Sequence, residues 1–508
     1  MKTKRSIYNI FFNIFSLVVT FILGIMIPKL FIVSLGSEAN GLVSSIGQIF
    51  SYVSLLEAGI GTTAIQALYK PITEDDKNRI NQILSASAAF YKKIGKIYIL
   101  CVMLIAIIYP LVVQVNLPIW QVIGVICFSG LGNAINFLLQ QNYVVLLSAE
   151  GKGYITTNLN LIVNIIISVT KVILLLNGFN IVYVIGAQFV VTLLRILFMK
   201  IYIVKNYKWL NTHSVPDFSA LKKQRYVLVQ QLSYFVYTNT DIVILTLFDN
   251  LVTVSVYTLY NIIIGVVEGI TSSFTLSVLF ALGQLYNENF ERFKKVFRIF
   301  DAFYMTLVFA LFSVVYLCII PFLSIYTKGI TDANYMDSTL AFLFVILKMV
   351  TTLRSQSQNI INFAGNFKET QKSSIIEAGM NILISVIGVY YIGIYGVVIG
   401  SIVSSFYKGI TITNYANNNV IMLSTKEKVT RYIRWGSYIC MFLFICVISK
   451  TMPEFFIIDN YIQWITLAIP CTLIICIIYT ILWGIIDINI AKETIKLIHS
   501  KINFRKRP

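Results

Sequence analysis

The sequence predicts an all-α integral membrane protein with about fourteen transmembrane helices: two six-helix lobes related by a parallel repeat, followed by two C-terminal helices. Two observations carry this prediction. The first is composition. Hydrophobic residues make up 57% of the 508 residues and charged residues only 12%, about half the charged fraction of a soluble domain. Such a chain lacks the polar surface to face water on all sides. The second is a duplication. Gln141-Asn142 recurs 217 positions later as Gln358-Asn359, and Asn164-Ile-Ile-Ile-Ser-Val169 recurs as Asn381-Ile-Leu-Ile-Ser-Val386. The same offset pairs Ala64, Leu68, Tyr69, Glu74 and Lys77 with Ala281, Leu285, Tyr286, Glu291 and Lys294. One offset held over so long a stretch means no net insertion between the copies, and duplicated helical bundles are a common plan of secondary transporters.

A membrane span needs about 20 mostly apolar residues. Runs of that kind predict helices near 8–33, 41–68, 94–115, 119–147, 155–177 and 181–204. A second set follows near 225–249, 252–282, 298–320, 338–363, 375–391 and 395–415, and two more near 431–450 and 461–486. Shifted by the repeat offset, the first span lands on the seventh, so each copy holds six helices. An even number keeps both copies in one orientation. The domains expected are therefore an N-terminal lobe at 1–210, a C-terminal lobe at 211–427, and 428–508 for the two extra helices and a basic tail.

Basic residues orient the bundle. Most of the 40 lysines and arginines fall in segments that share one side, among them Lys2, Lys4, Arg5, Lys92, Lys93, Lys96, Lys222, Lys223, Arg225, Arg505, Lys506 and Arg507. The opposite loops hold Lys328 and Lys450. This places both termini in the cytoplasm. It also assigns the net charge of +18 to topology and contact with anionic membrane lipids, not to nucleic acid. Amphipathic stretches at Asp75–Tyr91 and Phe290–Phe300 read as helices lying at the membrane interface before the next span enters. The aromatic residues read as lipid-facing and interfacial packing. Seven cysteines, all in apolar segments, read as free thiols. The first apolar run is too long for a cleavable signal peptide.

The chemistry excluded is as informative. The two histidines, His213 and His499, fall in cytoplasmic segments, and no G-x-x-x-x-G-K-[ST] loop is present to drive an ATP-powered pump. The longest outward loop, about Pro321 to Asp337, is too short to hold an acceptor as glycan polymerases and ligases commonly do. No enzyme and no cofactor is expected.

Ionisable residues inside spans remain, where a charge costs several kcal/mol unless hydrated or paired. Glu57 and Glu268 each fall sixteen residues into their helices, and Asp241 follows Tyr237-Thr-Asn-Thr240. These acids fit either a coupling-ion or sugar contact, or a hydrogen-bonded tie between helices. Lys348 and Arg354 lie mid-span within a polar neighbourhood and read as the wall of a wet cavity. Lys171 and Lys29 lie near outer helix ends, where snorkelling competes with binding. Asp301 and Glu377 read as interfacial.

Leu35-Gly-Ser-Glu-Ala-Asn-Gly-Leu42, Leu56-Glu-Ala-Gly-Ile-Gly61, Thr238-Asn-Thr-Asp-Ile-Val-Ile244, Asn381-Ile-Leu-Ile384 and Gly393-Ile-Tyr-Gly-Val-Val-Ile-Gly400 occur in this order. Together they resemble helices one, two, seven, eleven and twelve of bacterial polysaccharide flippases, which move O-antigen or capsule repeat units. These flippases belong to the multidrug, oligosaccharidyl-lipid and polysaccharide exporter superfamily. The resemblance covers about residues 5–415. It implies two lobes around a V-shaped cavity in the bacterial inner membrane, alternating access, and an undecaprenyl-diphosphate-linked oligosaccharide as substrate. The reading admits a coupling cation (proton or sodium) or a drive by the substrate gradient alone, and admits a polysaccharide polymerase as partner. On that reading Lys348, Arg354 and Lys171 meet the diphosphate, and Glu57, Asp241 and Glu268 meet the coupling ion or sugar hydroxyls. The same architecture fits a multidrug or cation antiporter built on the three acids.

Overall fold

A computed structural model describes residues 19–20, 22–57, 60–211, 214–218, 225–451, 458–488, 490 and 492. His213, His499 and the basic residues of both termini lie outside them, as do Lys222 and Lys223. Every regular element described is helical, as a lipid environment demands: backbone groups with no water to meet must pair within their own segment.

The helices are α1 (Ile22–Leu35), α2 (Ser37–Ser54), α3 (Ile60–Thr73), α4 (Lys77–Val112), α5 (Ile119–Leu139), α6 (Gln141–Ala149), α7 (Gly153–Leu176) and α8 (Ile181–Asn206). Then come α9 (Arg225–Phe248), α10 (Leu251–Glu288), α11 (Phe290–Tyr326), α12 (Ser338–Ala364), α13 (Phe367–Ile392), α14 (Ile394–Tyr415), α15 (Thr425–Thr451) and α16 (Tyr461–Ile486). Among the described residues eleven helices are long and apolar enough to cross a membrane, twelve if α2 and α3, bent by 41°, count as one span. The shorter apolar α1 and the more polar α9 stand at the two other predicted spans, the first of which lies partly outside the described residues. The chain is a multi-pass membrane protein.

Asx side chains start many of these helices by accepting an orphan backbone N–H. Asp76 caps α4, Asn180 caps α8, Asn289 caps α11, Asp337 caps α12 and Asn460 caps α16. The N-terminus of α2 is capped from a distance instead: Asp332 accepts from the Ser37 amide at 2.6 Å and from its hydroxyl at 2.8 Å.

Two expectations change. The segments at Asp75–Tyr91 and Phe290–Phe300 are not separate interfacial helices. From Lys77 and from Phe290 they run unbroken into the spans, making helices of 36 and 37 residues, or about 54 Å of rise where a bilayer core takes about 30 Å. Ile80, Ile83, Leu84, Phe293 and Phe297 are buried along these extensions, so packing on neighbouring helices, not the interface, absorbs the apolar face. The aromatic residues are also more internal than expected. Tyr91, Tyr98, Tyr260, Tyr326, Tyr438 and Tyr479 are among the largest fully buried side chains. A tyrosine can be buried where its hydroxyl finds a partner. Tyr98 donates to the Phe50 carbonyl at 3.1 Å, Tyr109 to Ser45 at 2.9 Å, and Tyr260 to the Tyr335 carbonyl at 2.8 Å.

The chain forms two compact units: Met1–Leu259 with Ile330–Ala333, and Tyr260–Gly329 with Asn334–Pro508. The lobes at 1–210 and 211–427 count duplicated sequence, whereas these units count contacts in space. We retain the former as a proposal about origin. In the first unit α9 packs on α2, and Gly41 lets the Leu251 carbonyl approach so closely that a Cβ there would overlap it. In the second unit α13 and α14 cross at Gly388 and Gly396, where an added Cβ on either would strike the other's backbone. All seven cysteines are free.

The lipid logic is clearest in α13. Its exposed side chains include Ile375, Ile376, Ile382, Leu383 and Ile387, while Thr370, Ser374, Glu377, Asn381 and Ser385 are buried. The buried set recurs every three or four residues, one helix face, and faces the protein. Small and polar residues at the helix contact, with aliphatic residues turned to lipid, are the membrane pattern of packing.

Candidate functional site

In the first unit, Glu57 closes the 3₁₀ turn Leu55–Glu57 where the second span bends. Its Oε1 accepts from the Tyr91 hydroxyl and from Gln141 Nε2, each at 3.0 Å. Both donors are neutral. Asp241 is buried on α9 and accepts from the Tyr257 hydroxyl at 2.7 Å. Its helix is stitched to α2 by Gln48 donating to Asn239 at 2.6 Å and by Tyr52 and Thr240 hydroxyls 2.5 Å apart. Lys171, half-buried on α7, holds its Nζ 5.6 Å from the centre of the Phe31 ring.

In the second unit, Lys348 Nζ meets Glu268 Oε2 at 2.9 Å, with the side chains 16% and 42% exposed. This pair joins α10 to α12. Arg354 turns elsewhere. It donates to Glu377 Oε1, and Lys408 Nζ sits 2.7 Å from Glu377 Oε2. Arg354 is 7% exposed, Lys408 3% and Glu377 0%. Two cations share one carboxylate, so the cluster carries a net charge of about +1 if all three are ionised. Further along, Asp301 accepts from Arg431 (2.7 and 3.1 Å) and Arg434 (2.8 Å), and Arg434 also donates to Asp487 at 2.6 Å. These four are buried and balance to zero charge, tying α11, α15 and the end of α16 together. Arg431 also reaches Asn417 Oδ1 at 2.7 Å and Ser357 Oγ at 3.3 Å.

The structure therefore brings Lys348 to Glu268 and separates it from Arg354, since six residues of helix turn the two to different faces. Arg354 does not stand on a wet wall; it is buried against an acid. Glu377 and Asp301 are not interfacial either. Each is enclosed by two cations, which offset the cost of burying the carboxylate. The functional candidates missed in the sequence are Glu377, Lys408, Arg431, Arg434 and Arg195. Arg431 and Arg434, three apart on one helix face, and Arg195, the one charge between Ile181 and Met199, were the signals available.

No family model matches the chain, and no curated protein matches it. Solved structures do. The described helices have the fold of transporters of the MOP superfamily. The lipid II flippase MurJ in an inward closed conformation matches with a TM-score of 0.65 at 15% identity, covering 94% of this chain and 99% of that one. An inward-facing multidrug resistance MATE transporter matches with a TM-score of 0.60 at 17% identity, covering 79% and 94%. A MOP superfamily transporter from Pyrococcus furiosus, described as having a binding pocket of reverse polarity, matches at 0.50 and 15% identity, covering 80% and 96%.

Proposed function

We propose that this chain is a flippase that moves undecaprenyl-diphosphate-linked oligosaccharide repeat units across the bacterial inner membrane by alternating access of its two lobes. The observation that carries the proposal is the extent of the likeness to MurJ: 94% of this chain and 99% of that one. The physics suits the cargo. A lipid tail can stay in the bilayer while the sugar and diphosphate cross, provided that cations inside the protein offset their dehydration. Of the substrate candidates, Lys348 is better exposed than Arg354; Arg354 reaches a phosphate only by leaving Glu377; Lys171 is the third. The reaction makes and breaks no covalent bond. Both termini are cytoplasmic in this proposal, and a polysaccharide polymerase receives the product.

The test is translocation of radiolabelled undecaprenyl-diphosphate oligosaccharide in proteoliposomes containing the purified protein. Movement to the opposite leaflet, lost in a Lys348→Ala/Arg354→Ala variant, is the expected result. Glu57 favours a second reading, a multidrug or cation antiporter, because its two partners are neutral and leave its charge for a cation. Export of an organic cation under an ion gradient, without movement of the lipid-linked sugar, would replace the first reading by the second.

A further inference from the structure

Arg195 lies eleven residues from the nearer end of α8, about 16 Å along the helix axis and thus near the middle of a bilayer core. Its guanidinium donates to Asn160 Oδ1 on α7 and to Asn136 Oδ1 on α5, each at 3.2 Å. No carboxylate lies within ion-pairing distance of it among the described residues, and its Nε is buried with no hydrogen-bond partner there. The surroundings are polar on all three helices. Gln188 and Thr192 precede Arg195 on the same face of α8, and Asn133 precedes Asn136 on α5.

Each cation described above for the second unit touches a carboxylate, whereas Arg195, in the first unit, is held in place by neutral amide oxygens. Those contacts orient the guanidinium and leave its full charge in place. Donors predominate among the hydrogen-bonding groups that remain on the three side chains: Arg195 Nε, the second N–H of each Nη, and the Nδ2 amides of Asn136 and Asn160, against one spare lone pair on each amide oxygen. A cation within the membrane with unused donors around it and no carboxylate beside it is chemically complementary to an oxyanion, and a guanidinium fits two phosphate oxygens at once.

We propose that Arg195, Asn136 and Asn160 form a phosphate-binding site within the first unit. Its ligand is the diphosphate of a polyprenyl carrier, an identification that rests on the flippase reading; a phospholipid headgroup presents the same chemistry. The site is separate from Lys348, Arg354 and Lys171.

The experiment measures phenylglyoxal modification of Arg195 in the purified wild-type protein, read by mass spectrometry of the peptide that contains it. Inorganic diphosphate, undecaprenyl diphosphate and phosphatidylglycerol are added in separate arms. Protection by inorganic and undecaprenyl diphosphate, with phosphatidylglycerol without effect, is expected. Arg195→Gln should bind undecaprenyl diphosphate about tenfold more weakly or worse, the loss of a charge-assisted hydrogen bond, and Arg195→Lys should fall between. Protection by phosphatidylglycerol alone keeps the phosphate site and overturns the carrier as its ligand. Protection by none of the three overturns the site, and because this arm uses wild type, a misfolded variant cannot obscure it. Translocation without protection overturns the site and leaves the flippase standing; protection without translocation does the reverse.

Discussion

Glu377 is wholly buried on α13 and is shared between two cations, Arg354 from α12 and Lys408 from α14. One carboxylate thereby determines whether three spans can pack with their charges inside.

Glu377→Gln leaves two buried cations without a counter-charge. Breaking a buried ion pair by removing one partner costs about 3–5 kcal/mol, so the variant should lose thermal stability in detergent and accumulate poorly. Glu377→Gln/Lys408→Met removes one of those cations and should recover part of the loss. A double variant no more stable than the single would show that the charge imbalance is not the cause.

Arg354→Ala has a different expected outcome. Glu377 keeps Lys408 at 2.7 Å, and the remaining pair is neutral, so the protein should reach the membrane at its normal level. Surface polysaccharide should nevertheless be lost. Normal polysaccharide output would remove Arg354 from the transport machinery and leave it a purely structural role.

Lys348 and Glu268 can be separated by charge reversal. If the pair only fastens α10 to α12, Lys348→Glu/Glu268→Lys should restore what each single change costs. If Lys348 also meets a phosphate, transport should stay about 10- to 100-fold down in the swap, the loss of one hydrogen bond to a charged group, while the melting temperature recovers. The two readouts, initial translocation rate and thermal melt, are taken on the same preparation.

Gly396→Ala puts a methyl group into the backbone of Gly388 at the crossing of α13 and α14. Overpacking of this kind costs about 1–3 kcal/mol or more, and backbone on both sides leaves little room to yield. Gly379→Ala, with nothing within 4 Å of the new atom, is the matched control and should be silent. Equal melting temperatures for the two would contradict the close crossing.

Glu57→Gln keeps an amide oxygen able to accept from Tyr91 and Gln141, so folding should persist. Under the antiporter reading this substitution abolishes cation-driven export; under the flippase reading it leaves diphosphate binding intact. Binding of undecaprenyl diphosphate to the variant decides between them.

Much of the architecture was legible along the chain. Span number and repeat follow from apolar runs and a constant offset, because insertion of a helix into lipid is close to a sum over its own twenty or so residues. The start of α8 at Ile181 was legible in the same way. The unbroken extensions of α4 and α11 were not, because an amphipathic stretch has the same pattern whether its apolar face meets lipid headgroups or another helix.

The partners of the charges were decided only by tertiary structure. Glu268 and Lys348 are 80 residues apart, Asp301 and Arg431 130 apart, and Arg195 meets Asn136 from 59 positions away. Whether an intramembrane charge is a binding group or a tie depends on which neighbour its helix face turns toward. That rotation is set by packing against segments remote in sequence. Hydropathy sums over a window and is blind to it, so the sequence by itself determined that charges lie within the spans, and the fold alone separated the carboxylate-paired cations around Glu377 from Arg195, which meets neutral amides.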